Sequence, residues 1–188
     1  MADSLGTPLS RTSDGMDALY FIIHDTSSPN FLTDPFPSDI VDDRSINNLD
    51  RYRKDQAAAH VFVNRRGEVY LGHDFAMPWR ATRLESRFAG NAARGRFIHI
   101  ELIQPRRSDP ELGQGNDAIA PTPGYSEAQY RRLAQLYVVA SVRGGTWLLP
   151  GFHAVLDSGI PGAHDDPQNF DLEAFDAALG RVISELGE

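Results

Sequence analysis

Apolar residues in this chain fall into short continuous runs and helical stripes, separated by long polar stretches. Leu19 to Ile23 is an unbroken apolar run closed by His24, the pattern of a strand buried on both faces. His60 to Leu71 reads as a hairpin, with HVFVN and EVYLG flanking a turn at Arg65, Arg66 and Gly67. Phe97 to Ile103 predicts a third strand. Its period of two sets Phe97, His99, Glu101 and Ile103 on one face and Ile98, Ile100 and Leu102 on the other. An apolar face backed by one carrying His and Glu suggests the end of a site built on a sheet. Trp147 to Leu149 predicts a further short strand.

Helical spacing appears in three places. Ser45 is positioned to cap a helix running to about Tyr52, with Ile46 and Leu49 inward. Ser126 and Gln129 form a capping-box pair ahead of Tyr130, Leu133, Tyr137 and Ala140. Asp171 caps a final helix whose stripe is Leu172, Phe175, Leu179, Val182 and Leu186. Between these elements lie long loops at 25–44, 104–124 and 150–170, rich in Pro, Gly and Asp, and an irregular stretch at 72–96. Loops of such length are often functional. Residues 1–17 are polar and read as a flexible N-terminal arm, leaving 18–188 as one domain. Strands alternating with helices argue for a single α/β domain, its sheet mostly buried under helices.

Composition narrows the function. A length of 188 residues suits one well-buried domain. A net charge of -8 disfavours a general nucleic-acid binder, which needs a basic surface. With no cysteine, a metal would have to be held by His, Asp, Glu or water. No apolar run approaches the roughly 20 residues that span a bilayer. The N-terminus lacks the apolar core of a signal peptide, so the expected location is cytoplasmic as encoded, with export by a dedicated secretion system or release on lysis as the other routes.

The histidines stand at 24, 60, 73, 99, 153 and 164. His24 closes a strand, His153 lies in LPGFHAVLD, and His164 lies in GAHDDPQNFD. A catalytic zinc site takes about three protein ligands and keeps one position open. Spacing alone leaves a structural role open for each.

Four segments, in order, carry a family resemblance: FIIHDTSSP at 21–29, AAHVFVNRRGEVYLG at 58–72, FIHIELI at 97–103 and FHAVLDSGIPGAHDDPQNFD at 152–171. The helix opening YSEAQYRRL at 125–133 agrees in kind and place. Together they resemble the zinc amidases of the N-acetylmuramoyl-L-alanine amidase type 2 family, which includes the peptidoglycan recognition proteins. The resemblance implies a central mixed β-sheet flanked by helices, with residues 18–188 as the catalytic domain. It implies Zn2+ held by His24, His153 and Asp166, with Glu101 as the base that orients and deprotonates the attacking water. The implied reaction is hydrolysis of the amide between N-acetylmuramic acid and L-alanine. The implied partner is peptidoglycan or a muropeptide, with no nucleic acid, no membrane insertion and a monomer as the default.

The chain departs from the family in two places. His164 stands two residues before Asp166, where many members carry a lysine that stabilises the oxyanion. Three roles are open to it: donor to the developing negative charge, third metal ligand with Asp166 behind it, or structural residue. MPWRAT at 77–82 replaces the usual Trp-His-Ala-Gly. There Arg80 either contacts a substrate carboxylate or is solvated. Trp79 and the aromatic loop at 31–36 either offer a sugar-stacking or lid surface or are simply packed. His60 either lines the site, orients a neighbour or is a satisfied buried histidine. His99 reads as a supporting or structural residue, His73 as surface, and Asp25 as a residue that anchors a ligand. Two other functions compete with the amidase: a non-catalytic peptidoglycan-binding module and a zinc hydrolase of another amide. Presence of all four site residues favours the enzyme.

Overall fold

The computed structural model describes residues 7–32, 35–53, 58–89, 93–108 and 118–187. Two six-residue strands, β1 (Tyr20–Asp25) and β5 (Phe97–Leu102), lie side by side in parallel, in register from Tyr20 opposite Phe97 to Asp25 opposite Leu102. Around them the hairpin β3 (Val61–Val63) and β4 (Val69–Leu71) and the strand β7 (Leu149–Phe152) complete a five-stranded sheet of order β4-β3-β5-β1-β7. Every pairing is parallel except that of β4 with β3, so the sheet is mixed. Pro150 lies in β7 at the sheet edge, where a missing N–H does least harm.

One face of the sheet is covered by α1 (Glu127–Gly144) and α3 (Leu172–Leu186). Phe21, Ile23, Val61, Val63, Ile98, Ile100 and Leu102 pack there against Tyr130, Leu133 and Tyr137 of α1 and Phe175, Ala178 and Val182 of α3. The protein is thus a single α/β domain with a mixed sheet flanked by helices. The β5 alternation holds: Ile98, Ile100 and Leu102 join this core, while Ile103 enters a second cluster with Phe62, Ile46 and Tyr52. The capping box at Ser126 and Gln129 forms, and Gln129 Nε2 also donates to Val63 O and Ile103 O, anchoring the start of α1 to the strand ends.

The two long Pro-rich loops meet. Between them they form a small parallel sheet, β2 (Asn30–Phe31) with β6 (Arg106–Arg107). In the hairpin turn Gly67 has φ +75°, and a Cβ there would come within 2.8 Å of Ala128 O, so the turn requires glycine.

Several sequence expectations shift. The helix placed at 45–52 is a 3-10 turn over Leu49–Tyr52, capped by Asn48. Ser45 and Ile46 instead belong to a turn in which Asp43 Oδ1 accepts their backbone N–H groups. Asp and Asn side chains that capture nearby N–H groups compete with helix here. The strand expected at Trp147–Leu149 begins at Leu149, and Trp147 is exposed. Leu172 and Leu186 of the final helix are exposed, so its buried stripe shortens to Phe175, Ala178 and Val182. Residues 7–17, expected to be arm, pack on the domain: Leu9 joins the main core and Ser10 N donates to Phe75 O at 2.8 Å. No helix among the described residues is long and apolar enough to cross a membrane.

Candidate metal and catalytic centre

The face of the sheet opposite α1 and α3 carries the candidate site residues His24 and Glu101. The β1–β5 register sets His24 beside Glu101 and Ile22 beside His99, at the carboxyl ends of parallel strands. Sites in open α/β sheets form at such ends, where backbone polarity and loops converge. His153 opens the short helix α2 (His153–Leu156) directly after β7, and Asp166 lies in the loop that follows. Ala154 N donates to Asp166 O at 2.8 Å and Asp25 N to Asp166 Oδ2 at 3.1 Å, drawing that loop onto the ends of β1 and β7.

His24, His153 and Asp166 are buried, and each offers a ligand atom within 4.8 Å of the others. His153 Nδ1 lies 3.0 Å from Asp166 Oδ1, and His24 Nδ1 lies 3.7 Å from Asp166 Oδ2. The outer nitrogens of both rings are engaged elsewhere. His153 Nε2 is 2.8 Å from Asp157 Oδ2, and His24 Nε2 is 3.0 Å from His99 Nδ1. Both imidazoles therefore aim Nδ1 at the shared centre. Two imidazoles and one carboxylate, with the imidazoles held from behind, are a donor set that fits Zn2+.

His164 sits at the lip, with 34% of its side chain exposed and Nδ1 3.6 Å from Asp166 Oδ1. Its ring centroid is 5.0 Å from that of His153. Glu101 faces a cleft of about 430 Å³ whose wall includes Thr26, Trp79, Arg80, His153, His164 and Asp166. Its Oε2 is buried and has no hydrogen-bond partner. Such an orphan normally has a functional explanation or a missing partner.

Charges around the centre are arranged unevenly. Burial, with the nearby carboxylates of Asp166 and Asp25, raises the Glu101 pKa well above the usual carboxylate range. Burial pushes Asp166 the same way, but hydrogen bonds from His153 and His164 and the neighbouring imidazoles outweigh it and hold Asp166 ionised. Burial, then the His153 and His99 rings, press His24 towards its neutral form. For His153 burial acts alike, yet Asp166 and Asp157 prevail and raise its pKa.

The other sequence candidates divide. Trp79 and exposed Arg80 line the cleft. Trp79 Nε1 donates to Ala58 O at 3.1 Å, and its ring stacks on His73 at 3.9 Å between centroids. His60, for which a place in the substrate-binding wall was one of three open roles, is 0% exposed and is no part of the cleft wall. Its Nδ1 accepts from His99 N at 3.0 Å and its Nε2 faces Met77 O at 3.1 Å, so it fastens backbone beneath the site. Phe31 and Phe36 meet edge to face at 6.0 Å, and Phe31 packs on the second apolar cluster. Asp25 secures Asp166 through its backbone N–H. Its buried carboxylate holds Arg106 at 2.7 Å and accepts from Tyr125 Oη and Gln168 N.

Sequence reasoning missed Asp157, Glu85 and Arg106. Two left a signal: His153 and Asp157 are spaced i,i+4, and Thr82-x-x-Glu85 is a capping-box pattern. Arg106 left none.

The family model described as N-acetylmuramoyl-L-alanine amidase (Amidase_2) matches residues 14–169. Among solved structures, a crystal structure of a selenomethionine derivative of AmpD is similar to this chain, at 18% identity and a TM-score of 0.49, over 93% of this chain and 94% of that one. No curated protein matches the sequence. With residues 14–169 accounted for by one family model, the chain belongs to the N-acetylmuramoyl-L-alanine amidase family, Amidase_2.

Proposed function

We propose that this protein is a zinc-dependent N-acetylmuramoyl-L-alanine amidase acting on peptidoglycan or muropeptides. The observation that carries the reading is the buried group of His24, His153 and Asp166, with ligand atoms within 4.8 Å, beside the unpartnered carboxylate oxygen of Glu101. His24 and His153 would hold the ion through Nδ1, and Asp166 through a carboxylate oxygen. Zinc in such a site supplies Lewis acidity, which acidifies water and polarises a carbonyl.

The chain's own residues do the rest. Glu101, as carboxylate, takes a proton from the attacking water as its oxygen adds to the amide carbonyl carbon. It then returns that proton to the departing L-alanine nitrogen as the C–N bond breaks, leaving a carboxylic acid on the lactyl group. A raised Glu101 pKa suits a group that must both accept and give up a proton near neutrality; a nearby cation would draw it down from the level set by burial. His164, at the lip beside Asp166, donates an N–H to the oxygen that becomes negative. Trp79 and Arg80 form the wall that meets the glycan or stem peptide.

The test is metal content together with digestion of purified peptidoglycan and muropeptides, following released stem peptides by mass spectrometry with and without a chelator. Chelator-sensitive release of peptides beginning at L-alanine, with about one zinc per chain, is expected for three ligands and one open position. Zinc without cleavage would assign the site to another amide. Absence of both would make the protein a binding module.

A further inference from the structure

Glu85 lies outside every motif that marks the site. It is 0% exposed, in the segment joining the hairpin to β5. Its Oε2 accepts from Thr82 Oγ1 at 2.9 Å, Thr82 N at 3.0 Å and Ala81 N at 3.1 Å, and its own N–H donates back to Thr82 Oγ1. With these donors fixing one oxygen, the carboxylate faces His99 Nε2, 3.3 Å from Oε2 and 3.4 Å from Oε1. On the far side of that ring, Nδ1 is 3.0 Å from His24 Nε2.

The direction of hydrogen bonding follows from chemistry. An ionised carboxylate only accepts, so His99 carries its hydrogen on Nε2 and keeps a lone pair on Nδ1. His24 must then donate across the 3.0 Å contact, with hydrogen on Nε2 and a lone pair on Nδ1, the nitrogen that faces Asp166. The His99 ring is held against rotation: His60 and Phe97 lie nearly parallel to it, at 14° and 21°. The same segment reaches the other imidazole. Arg83 N and Leu84 N donate to Asp157 at 3.0 and 2.9 Å, and Asp157 in turn engages His153 Nε2. Residues 82–85 thus brace both rings from behind.

We propose that Glu85 is a positioning residue which, through His99, fixes His24 in the tautomer that offers Nδ1 to the metal. The inference rests on the zinc reading for its purpose, but the hydrogen-bond chain is testable without metal. In Glu85→Gln the amide oxygen stays with the Thr82 and Ala81 donors, turning the NH2 towards His99. That favours hydrogen on His99 Nδ1 and opposes the His24 tautomer.

The experiment is long-range 15N–1H correlation of the histidine rings with no metal added, joined to zinc affinity by chelator competition, on the parent and Glu85→Gln. Expected are Nε2–H on His24 in the parent, a mixed or reversed tautomer in the variant, and zinc binding weakened roughly 10–100-fold, the usual effect of losing an outer partner of a ligand. Hydrogen on His24 Nδ1 in the parent overturns the proposal on its own, even should the variant not fold. Unchanged tautomer and affinity in a folded variant overturn it too. A parent that takes up no zinc refutes the metal reading, and the tautomer then decides the hydrogen-bond chain separately.

Discussion

Replacing Arg106 by methionine tests whether the site rests on a buried ion pair. Arg106 Nη2 and Asp25 Oδ2 are 2.7 Å apart, and both side chains are fully enclosed. Arg106→Met keeps much of the volume but leaves the Asp25 charge without its cation. Removing one partner of a buried pair costs about 3–5 kcal/mol, because the other charge stays desolvated. Here Tyr125 Oη, Gln168 N, Ser27 N and Ser27 Oγ still donate to Asp25, which points to the lower end, about 3 kcal/mol. In a domain of this size that corresponds to a fall of roughly 6–12 °C in Tm. Burial already raises the Asp25 pKa above 3.8 while Arg106 opposes the rise. Without Arg106 it rises further, so the folded variant binds a proton more tightly than the unfolded chain. The deficit relative to the parent is therefore largest at neutral pH and narrows as pH falls towards the raised pKa. Urea unfolding at several pH values measures it, and the Asp25→Asn/Arg106→Met double variant supplies the cycle. A single variant within about 1 kcal/mol of the parent, or a double variant no more stable than the two single losses summed, would refute the argument.

Three further outcomes follow from the site. Glu101→Gln should retain zinc and the fold but lose about 10²–10⁴-fold in turnover; full activity removes Glu101 as the base. His164→Ala should bind zinc nearly as the parent does and lose about 10²–10³-fold in kcat, whereas loss of metal would move His164 among the ligands. Burial lowers the His60 pKa from 6.5 to about 3, so the unfolded chain takes up a proton that the folded one refuses. Its contribution is complete above pH 6.5 and is lost as pH falls towards 3, at about 1.4 kcal/mol per pH unit. Unfolding curves of His60→Gln should show a correspondingly shallower acid limb; an unchanged slope would mean that His60 is already protonated in the fold.

The parts legible in the sequence are those governed by local period or capping. The alternation in β5 sorted Ile98, Ile100 and Leu102 from His99 and Glu101, because a strand's period fixes faces whatever packs on them. Ser126 and Gln129 announced α1 for the same local reason. His24, His153 and Asp166 came from motif order, and the fold brings them together across separations that no spacing rule could span. What stayed open or failed depended on tertiary partners. For His60 the hairpin position left lining the site, orienting a neighbour and simple burial all open, and its neighbours, the backbone of His99 and Met77, decide among them. Leu172 and Leu186 fit the helical stripe but are the first and last residues of α3 and remain exposed. Arg106 reads as one more charge in a polar loop; only the pairing of β2 with β6 carries it beneath Asp25.

The two faces of the sheet are built on different principles. Beneath α1 and α3 the strands present apolar side chains, where tolerance to volume-conserving exchange is expected. On the opposite face His24, His60, His99 and Glu85 fill equivalent depth with hydrogen-bonded rings and a carboxylate. Well-packed apolar residues in those positions would serve stability as well or better, since each buried polar group must recover its lost hydration through a partner. What the polar layer provides instead is direction. A leucine fills space in any of several rotamers, whereas an imidazole held at both nitrogens fixes the tautomer and aim of the next ring. A polar layer of this kind belongs directly behind a site that needs its donor atoms held in place, and it lies behind His24 and Glu101 while the far face of the same strands remains apolar.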